Sequence, residues 1–433
     1  MEERNPINPN EFVEEKIKRR PVNRRRVMLR TVEVAALAVL FGVISSVTMV
    51  TVAPLLEEKL FPKTVNEVSF EEESITYEEE SITYTSEEIA PEDMLLEDVQ
   101  QPEIIIETIN SEVQLQDFAA LLKEKSDQCM NWMVRVSGVV SQTSWLESTT
   151  TRSDVAMGAI IADNGMEILI LVERKGIATA DSIMVRFPDG SDKEAFIKGQ
   201  DMGSGLMVIA VSKEGMSEET LQSFQIAEMV SSNNKSLAGS VVLAVGSPNG
   251  ILGSASYGVI TAMGIEIKSW DINYKLLLTD IYGSSSPEGF LVNMKGQILG
   301  VLNNDYNISD VKNLTTAIGI SELKAIIELM SNQDAIPYFG ITARDVSKQA
   351  HTQNAIPYGA YVTSVKLESP AMKAGIQAGD IIVEMDDKDV TSMSMFSSYL
   401  QKMESGESVK VVIMRQSQGL YKESELEITL SSR

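Results

Sequence analysis

Cysteine and histidine are almost missing from this sequence of 433 residues, which contains one of each, Cys129 and His351. A single cysteine excludes an internal disulfide framework and any cluster of thiolate ligands around a metal. With a single histidine, any histidine base must be His351, and no site with several histidine ligands can form. Zinc sites with several Cys or His ligands are therefore excluded, and nucleophilic catalysis that needs a histidine base depends on His351.

Basic residues are also scarce. The chain has 37 Lys and Arg against 62 Asp and Glu, which gives a net charge of −25. An acidic surface repels phosphate backbones, so we expect no nucleic-acid binding by the main body of the chain. The basic residues are instead crowded near the N-terminus, with eight between Lys16 and Arg30. These basic residues directly precede a segment without charge, and the two together bear on membrane topology.

Residues 34–53 contain no charged residue. About 20 apolar residues at about 1.5 Å each match the thickness of a bilayer core, about 30 Å. We predict a cytoplasmic basic tail at 1–31 and one transmembrane anchor at 32–53, with the remaining chain outside the cytoplasmic membrane. A cleavable signal peptide is the alternative, although its apolar core is usually only about 7–15 residues long and Ala53-Pro54 is a poor cleavage site.

Residues 54–113 are acidic and lack a periodic apolar pattern. The heptapeptide EEESITY occurs at 71–77 and again at 78–84. High charge with few core-forming residues predicts a disordered stalk, for which a solvated spacer is the favoured role. Transient strands and binding of a partner remain open.

Short apolar runs bounded by Gly, Asn, Asp and Ser recur through residues 114–333, after a helical stretch that includes Leu115, Phe118 and Leu122. This pattern predicts an all-β barrel or a pair of sandwiches. A second helical stretch, SELKAIIELMSN, closes the region near residue 332. Residues 336–433 alternate strands with a short helix and are predicted to form a compact α+β module.

Several segments in series resemble the HtrA (DegP-like) family: AMGAIIADNGMEIL, VRFPDGSDKEAFIKGQDMGSGLMVIAV, AVGSPNGILGSASYGVITA, TDIYGSSSPEGFLVNMKGQILGV and ESPAMKAGIQAGDIIVEMDDKDV. The resemblance covers about residues 115–433. It implies a mainly β fold, a chymotrypsin-like double β-barrel followed by an α+β PDZ domain, preceded by one transmembrane helix. A trypsin-like barrel without kinship to this family is the alternative.

The resemblance also implies where a catalytic triad would lie. Glu173 stands where the family has histidine, Gly205 where it has aspartate, and Pro287 where it has the nucleophilic serine. Serine hydrolysis needs all three groups. Proline also lacks the backbone N–H that forms half of the family's oxyanion hole. We therefore predict no catalytic residues and a pseudoprotease barrel.

A shifted alignment would put Ser284, Ser285 or Ser286 in the nucleophile's place, with Lys175 as a base. No shift supplies a histidine, because His351 lies in the PDZ module. Glu173 would be a poorly matched base, since an ordinary glutamate titrates near about 4.3.

No metal or cofactor is predicted, since the chain has no His-Glu-x-x-His pair and no Asp-x-Asp-x-Asp-Gly loop. The acidic cluster of Glu384, Asp386, Asp387 and Asp389 is expected to be an exposed turn between strands. Cys129 is expected to be packed, and His351 to lie in a surface loop.

The PDZ resemblance implies that a loop, Tyr338-Phe339-Gly340-Ile341, captures a peptide's terminal carboxylate with backbone N–H groups. Three apolar residues of the following helix are candidates for the pocket: Phe396, Tyr399 and Leu400. The alternative is that these side chains build the core of the module.

The predicted function is that of a bacterial single-pass membrane pseudoprotease that binds peptide ends or unfolded envelope proteins through its PDZ domain, in quality control or signalling. An active serine endopeptidase with an atypical site is the first alternative. A structural anchor whose PDZ groove is occluded is the second. The resemblance also allows a homotrimer.

Overall fold

The computed structural model describes residues 66–70, 111–143, 148–305, 313–417 and 419–433. The predicted transmembrane span at 32–53 lies outside these residues. Among the described residues, no helix is both long and apolar enough to cross a membrane.

The region predicted as barrels begins with a long helix, α1 (Ser111–Cys129). Its first half then contains β1 (Met133–Thr143), β2 (Ser148–Asp163), β3 (Glu167–Glu173), β4 (Ser182–Arg186), β5 (Asp192–Asp201), β6 (Leu206–Ser212) and α2 (Glu218–Gln222). Its second half contains β7 (Val241–Ser247), β8 (Ser254–Lys268), β9 (Asn273–Tyr282), β10 (Glu288–Asn293), β11 (Ile298–Leu302), β12 (Leu314–Gly319) and α3 (Lys324–Asn332).

These twelve strands form two closed antiparallel barrels. The first has the order β1-β2-β3-β6-β5-β4, and the second has the order β10-β11-β12-β9-β8-β7. Closure leaves neither sheet with a free edge. The β-barrel prediction is therefore confirmed for this region.

Strand β3 shows why the barrels pack as they do. Its residues 168–172 are all buried, although alternate side chains of a strand point to opposite faces. Ile168 and Ile170 point into the first barrel's interior, whereas Leu169 and Leu171 pack in the core between the barrels. The same inter-barrel core contains the rings of Trp132 and Phe290, which meet edge to face with centroids 5.8 Å apart.

The C-terminal module contains β13 (Pro337–Tyr338), β14 (Ile341–Asp345), α4 (Lys348–Asn354), β15 (Ala360–Val365), α5 (Pro370–Lys373), β16 (Ile381–Met385), β17 (Lys388–Asp389), α6 (Met393–Leu400), β18 (Ser408–Ser417), β19 (Leu420–Thr429) and β20 (Ser431–Ser432). Its main sheet has the order β14-β15-β16-β18-β19, with β17 paired to β16, so β14 is an edge strand. Helix α6 covers a core in which the Phe339 and Phe396 rings meet edge to face, 5.1 Å apart.

A short piece of the predicted stalk packs on the barrels. The Val68 N–H donates to the Asn332 Oδ1 (2.9 Å), and the Asn332 amide donates back to the Val68 carbonyl (2.9 Å). The Phe70 N–H donates to a Glu328 carboxylate oxygen (3.0 Å). The prediction of a disordered stalk over 54–113 is therefore wrong for residues 66–70. It also fails at its end, because α1 begins at Ser111.

His351 lies on a helix rather than in the predicted loop. Ser347 caps α4 by accepting the Ala350 N–H (3.1 Å), which SKQAHTQN did not reveal because it has no apolar stripe. The His351 ring stacks on Tyr358 with centroids 4.0 Å apart, and its Nδ1 lies 2.8 Å from the Ile356 carbonyl oxygen. These contacts hold the ring within the PDZ module.

Of the acidic cluster predicted as a turn, Asp386 and Asp387 form the turn between β16 and β17, whereas Glu384 lies in β16 and Asp389 in β17. Asp386 and Asp387 both have left-handed backbone conformations, with φ 46° and 57°. Asp386 pairs with the backbone of Lys410, whose N–H donates to its Oδ1 at 2.9 Å. The described residues contain no group of three or more His, Cys, Asp or Glu side chains placed to hold a metal ion.

Cys129 is fully buried at the end of α1, as predicted. Burial raises the pKa of its thiol to about 11, although Lys125 acts in the opposite direction. A thiol must ionise and be accessible to react.

We expect the native protein to react with N-ethylmaleimide at pH 8 at least about 100-fold more slowly than the urea-unfolded protein, because the thiolate is scarce and enclosed. Mass spectrometry of labelled samples over time measures both rates, and Cys129→Ala sets the background. Equal rates for native and unfolded protein would show that Cys129 is exposed.

Candidate functional site

The first candidate site lies where β3 ends and β6 begins. Glu173 is the last residue of β3 and is paired with Leu206 of β6. The Arg174 N–H donates to the Gly205 carbonyl (2.8 Å), which brings two of the three predicted triad positions side by side. Gly205 has φ +73°, and nothing lies within 4 Å of where its Cβ would be. A side chain at this position is therefore disfavoured by backbone conformation and not by lack of space.

Two carboxyl groups and an ammonium group face one another here. The pKa of Glu173 is raised to about 8, first by burial and then by the Glu288 and Asp305 carboxylates, with Lys175 acting in the opposite direction. Burial also raises the pKa of Glu288, again against Lys175. At neutral pH Glu173 is therefore mostly protonated and cannot take a proton from a hydroxyl. This corrects our assumption that its pKa is ordinary.

The serine-rich loop before β10 approaches from the second barrel. The Lys175 Nζ lies 3.2 Å from the Ser286 Oγ, and both side chains are exposed. The Ser286 N–H donates to the Ser284 Oγ (3.2 Å), so this amide is already used within the loop. Pro287 follows directly, is buried and has no N–H to offer.

The three predicted triad positions thus meet on one side of the molecule, between the barrels, without an imidazole. A serine–lysine pair works when the lysine is uncharged, a state that burial produces. Lys175 is exposed, so it lacks that environment. An amide already used by Ser284, a proline and the Glu288 carboxyl are poor surroundings for an oxyanion, which needs free donors. That these positions correspond to a triad stays a prediction.

We expect Glu173→Gln to stabilise the fold at alkaline pH. Because the pKa is raised from 4.5 to about 8 on folding, the folded protein keeps a proton that the unfolded chain releases between those values. Wild-type stability relative to Glu173→Gln should therefore fall as pH rises through this window and level off above it. Allowing for partial exposure, we expect a difference on the order of 2 kcal/mol at pH 8.5 and little at pH 4.

Urea unfolding followed by circular dichroism at several pH values measures this difference. The exposed Glu194→Gln serves as the matched control. A pH-independent difference for Glu173→Gln would contradict a raised pKa.

The second candidate site is the carboxylate loop of the PDZ module, Tyr338–Ile341. Its backbone N–H groups point at the carboxylate of Asp271, from the turn at 269–272 that joins β8 to β9. Phe339 N–H donates to Oδ2 (2.9 Å), Gly340 N–H to both oxygens (2.8 and 3.0 Å) and Ile341 N–H to Oδ1 (2.9 Å). Asp271 is only 4% exposed. The loop therefore holds a carboxylate, and this carboxylate belongs to the same chain.

Helix α6 reaches the same turn through a residue that sequence reasoning missed. The Ser397 hydroxyl donates to the Asp271 carbonyl oxygen (2.8 Å). Phe396 and Leu400, predicted to line a peptide pocket, are buried in the PDZ core, as the alternative held. Tyr399 packs on the edge of that core with Lys388 over its ring. Ser392 caps α6. Counting along the helix from this cap could have indicated that Ser397 faces the turn.

The PDZ module is also joined to the first barrel through Arg433. Its Nε lies 3.0 Å from the buried Asp201 carboxylate, which also accepts the N–H groups of Gly203 (3.1 Å) and Ser204 (2.7 Å). A Cβ on Gly203 would collide with the guanidinium. Arg433 therefore lies beside the segment that leads to Gly205.

Comparisons with known proteins agree with this architecture. Residues 337–430 match the family model of the PDZ domain. The chain is 24% identical over 270 residues to a probable periplasmic serine endoprotease DegP-like of Halomonas elongata, covering 61% of this chain and 54% of that protein. It is 24% identical over 310 residues to serine protease Do-like HtrA of Bacillus subtilis, covering 67% of each.

Among solved structures, the HtrA-type protease AlgW with decapeptide aligns with a TM-score of 0.52 at 17% identity, covering 72% of this chain and 98% of that one. This likeness shows the fold. The chain spans 53–54% of the length of the first three relatives it matches.

Two closed six-stranded barrels followed by a PDZ domain define the class of double-barrel, trypsin-like proteins with a PDZ module. The chain shares this fold and domain order with the HtrA-type structure, and it is similar in sequence to the DegP-like and HtrA proteases named above.

Proposed function

We propose that this chain is a membrane-anchored HtrA-like protein that binds peptide ends or a partner protein through its PDZ domain, and that its barrels do not cleave peptides. One observation carries the proposal: the sequence contains a single histidine, and it lies outside the barrels. The resemblance to the HtrA family aligns Glu173, Gly205 and Pro287 with the family's triad, and this correspondence is part of the proposal. The single histidine, His351, lies on α4 of the PDZ module and is held there by Tyr358 and Ile356. Without an imidazole, a serine hydroxyl in the barrels has no ordinary base.

The geometry of the carboxylate loop supports the binding half of this proposal. Its three N–H groups converge on one carboxylate at hydrogen-bond distance, which is the arrangement that capture of a C-terminal peptide requires. The AlgW structure, which shares the fold, was solved with a decapeptide.

The proposed location is the outer side of the cytoplasmic membrane, with the N-terminus in the cytoplasm. The charge-free segment at 34–53 and the basic residues before it support this orientation. The Halomonas relative is named as periplasmic. Envelope quality control or signalling fits that location, and a homotrimer is the assembly that the family resemblance suggests.

A serine endopeptidase with an atypical site is the second candidate. The relatives are named serine endoproteases or serine proteases, and this similarity favours cleavage over binding alone. Two observations add support. The Lys175 Nζ lies 3.2 Å from the Ser286 Oγ. The raised pKa of Glu173 makes it a better base above pH 8 than an ordinary glutamate. Against it stand the exposure of Lys175, the Ser286 amide already bonded to Ser284, and the missing N–H of Pro287.

Cleavage of dye-labelled casein separates the two candidates. The full chain, purified in mild detergent, should release no dye above the buffer rate at pH 7 or at pH 9, where Glu173 is ionised. A fluorophosphonate probe should label no serine. The matched variants are Ser286→Ala and Ser285→Ala, which remove neighbouring exposed hydroxyls. Cleavage that Ser286→Ala abolishes and Ser285→Ala preserves would establish the endopeptidase and reject the inert barrel.

A further inference from the structure

The carboxylate loop of the PDZ module is filled by the chain itself. We propose that the turn at 269–272 is an intramolecular ligand of the PDZ domain, and that an external peptide ending in a free carboxylate binds only after displacing Asp271. This inference rests on the proposed peptide binding and adds its regulation: the site is closed by default, and occupancy by a peptide requires that the turn leave the loop.

The Asp271 side chain reproduces the chemistry of a peptide's terminal carboxylate. Both of its oxygens accept backbone N–H groups of the carboxylate loop, at 2.8–3.0 Å. Phe339 and Gly340 lie before β14 and outside its pairing with β15, so an anion is a suitable acceptor for their N–H groups. A second carboxylate cannot share them, because two like charges at that distance repel strongly.

The backbone of the turn imitates a peptide in a second way. The Asp271 N–H donates to the Ile341 carbonyl (2.8 Å), and the Asn273 side-chain amide lies 3.3 Å from the Ala343 carbonyl oxygen. Ile341 and Ala343 are alternate residues of β14, the edge strand of the sheet. An incoming peptide that adds a strand to this edge needs the same carbonyl groups.

The turn is also held from the helix and from the loop that follows β15. Ser397 of α6 donates to the Asp271 carbonyl (2.8 Å), and the Lys366 Nζ lies 5.5 Å from the ring centroids of both Trp270 and Tyr338. Asp271 has φ 65°, a left-handed conformation that Asp tolerates better than most residues. The turn is therefore shaped to present one carboxylate to one loop.

A cleft of about 820 Å³ lies beside the turn. It is lined by Ile272, by Met393, Ser394 and Ser398 of α6, and by Lys275 on the barrel side. The competition therefore concerns the terminal carboxylate and the β14 carbonyl groups, whereas upstream residues of a peptide would find space in the cleft. An internal ligand has a high effective concentration, and the apparent affinity for an external one falls by the fraction of molecules that are open.

The test compares the full chain with Asp271→Ala and Asp271→Asn, which remove the carboxylate charge, and with Glu194→Gln. Glu194 is an exposed acid on β5 that lines neither the carboxylate loop nor the cleft, so its variant is the matched control. The probe is a pool of fluorescein-labelled decapeptides whose last three positions are mixed among Ala, Val, Leu, Ile, Phe and Tyr. A second pool has the same sequences with an amidated C-terminus. Circular dichroism verifies that each variant is folded, and Asp271→Asn serves if Asp271→Ala is not.

Two measurements follow. Hydrogen–deuterium exchange at Phe339–Ile341 should be at least tenfold faster in the Asp271 variants than in the wild type and Glu194→Gln, because the amides lose their charged acceptor. Fluorescence anisotropy should show at least tenfold tighter binding of the free-carboxylate pool to the Asp271 variants, and no gain for the amidated pool.

The outcomes distinguish the intramolecular ligand from the proposed peptide binding on which it rests. Equal exchange and equal binding in all variants would overturn the intramolecular ligand, and so would a gain shared by the amidated pool. Faster exchange without binding of any peptide would support the docking of Asp271 but reject peptide capture, and hence the proposed function. Tighter binding together with faster exchange would support both.

Discussion

The contact between one buried carboxylate and three backbone amides determines how the PDZ module sits on the barrels. Asp271 is buried, and a buried charge is costly unless its hydrogen bonds are satisfied. The N–H groups of the carboxylate loop face the same difficulty, since unpaired buried amides are also destabilising. The amides therefore satisfy the hydrogen bonds of the carboxylate, and the carboxylate satisfies those of the amides. The edge of β14, the α6 hydroxyl of Ser397 and the position of the open cleft all follow from this arrangement.

The barrel site that the family resemblance predicts differs from a protease site at several positions together. Glu173 and Glu288 bring two carboxyl groups to it, and burial raises the pKa of each. Pro287 removes an amide in the same place. The fold does not depend on these residues, because β3 is held by its two buried faces up to Val172. Chemistry at the strand end can therefore change while both barrels persist.

Strands with a strong apolar pattern could be read from the sequence, and those without it could not. The run Ile168–Val172 predicted β3 because both of its faces are buried. Strand β5 (Asp192–Asp201) is exposed at half of its positions and rich in charge, so nothing in its composition marks it as a strand. Helix α4 was missed for a similar reason: only its capping serine, Ser347, indicates it.

Parts of the candidate sites could likewise be predicted from the sequence, and other parts could not. The loop Tyr338–Ile341 is contiguous, and its motif could be recognised locally. Its occupant, Asp271, is about 70 residues away and looks like any polar turn residue between two strands. Only the three-dimensional arrangement brings them together. Likewise, hydrophobicity suggested Phe396 and Leu400 as ligand contacts, although the same property buries them in the core, while the smaller Ser397 faces the turn.

The hydrogen bonds of residues 66–70 fix the chain on one side of the duplicated acidic sequence. Val68 is bonded to Asn332, and α1 begins in the same compact unit at Ser111, on the other side of the duplication. When both ends of a segment are fixed, its closure entropy grows only with the logarithm of its length, about 0.6 kcal/mol for each doubling. A duplication of seven residues between these two points therefore changes the free energy of unfolding very little.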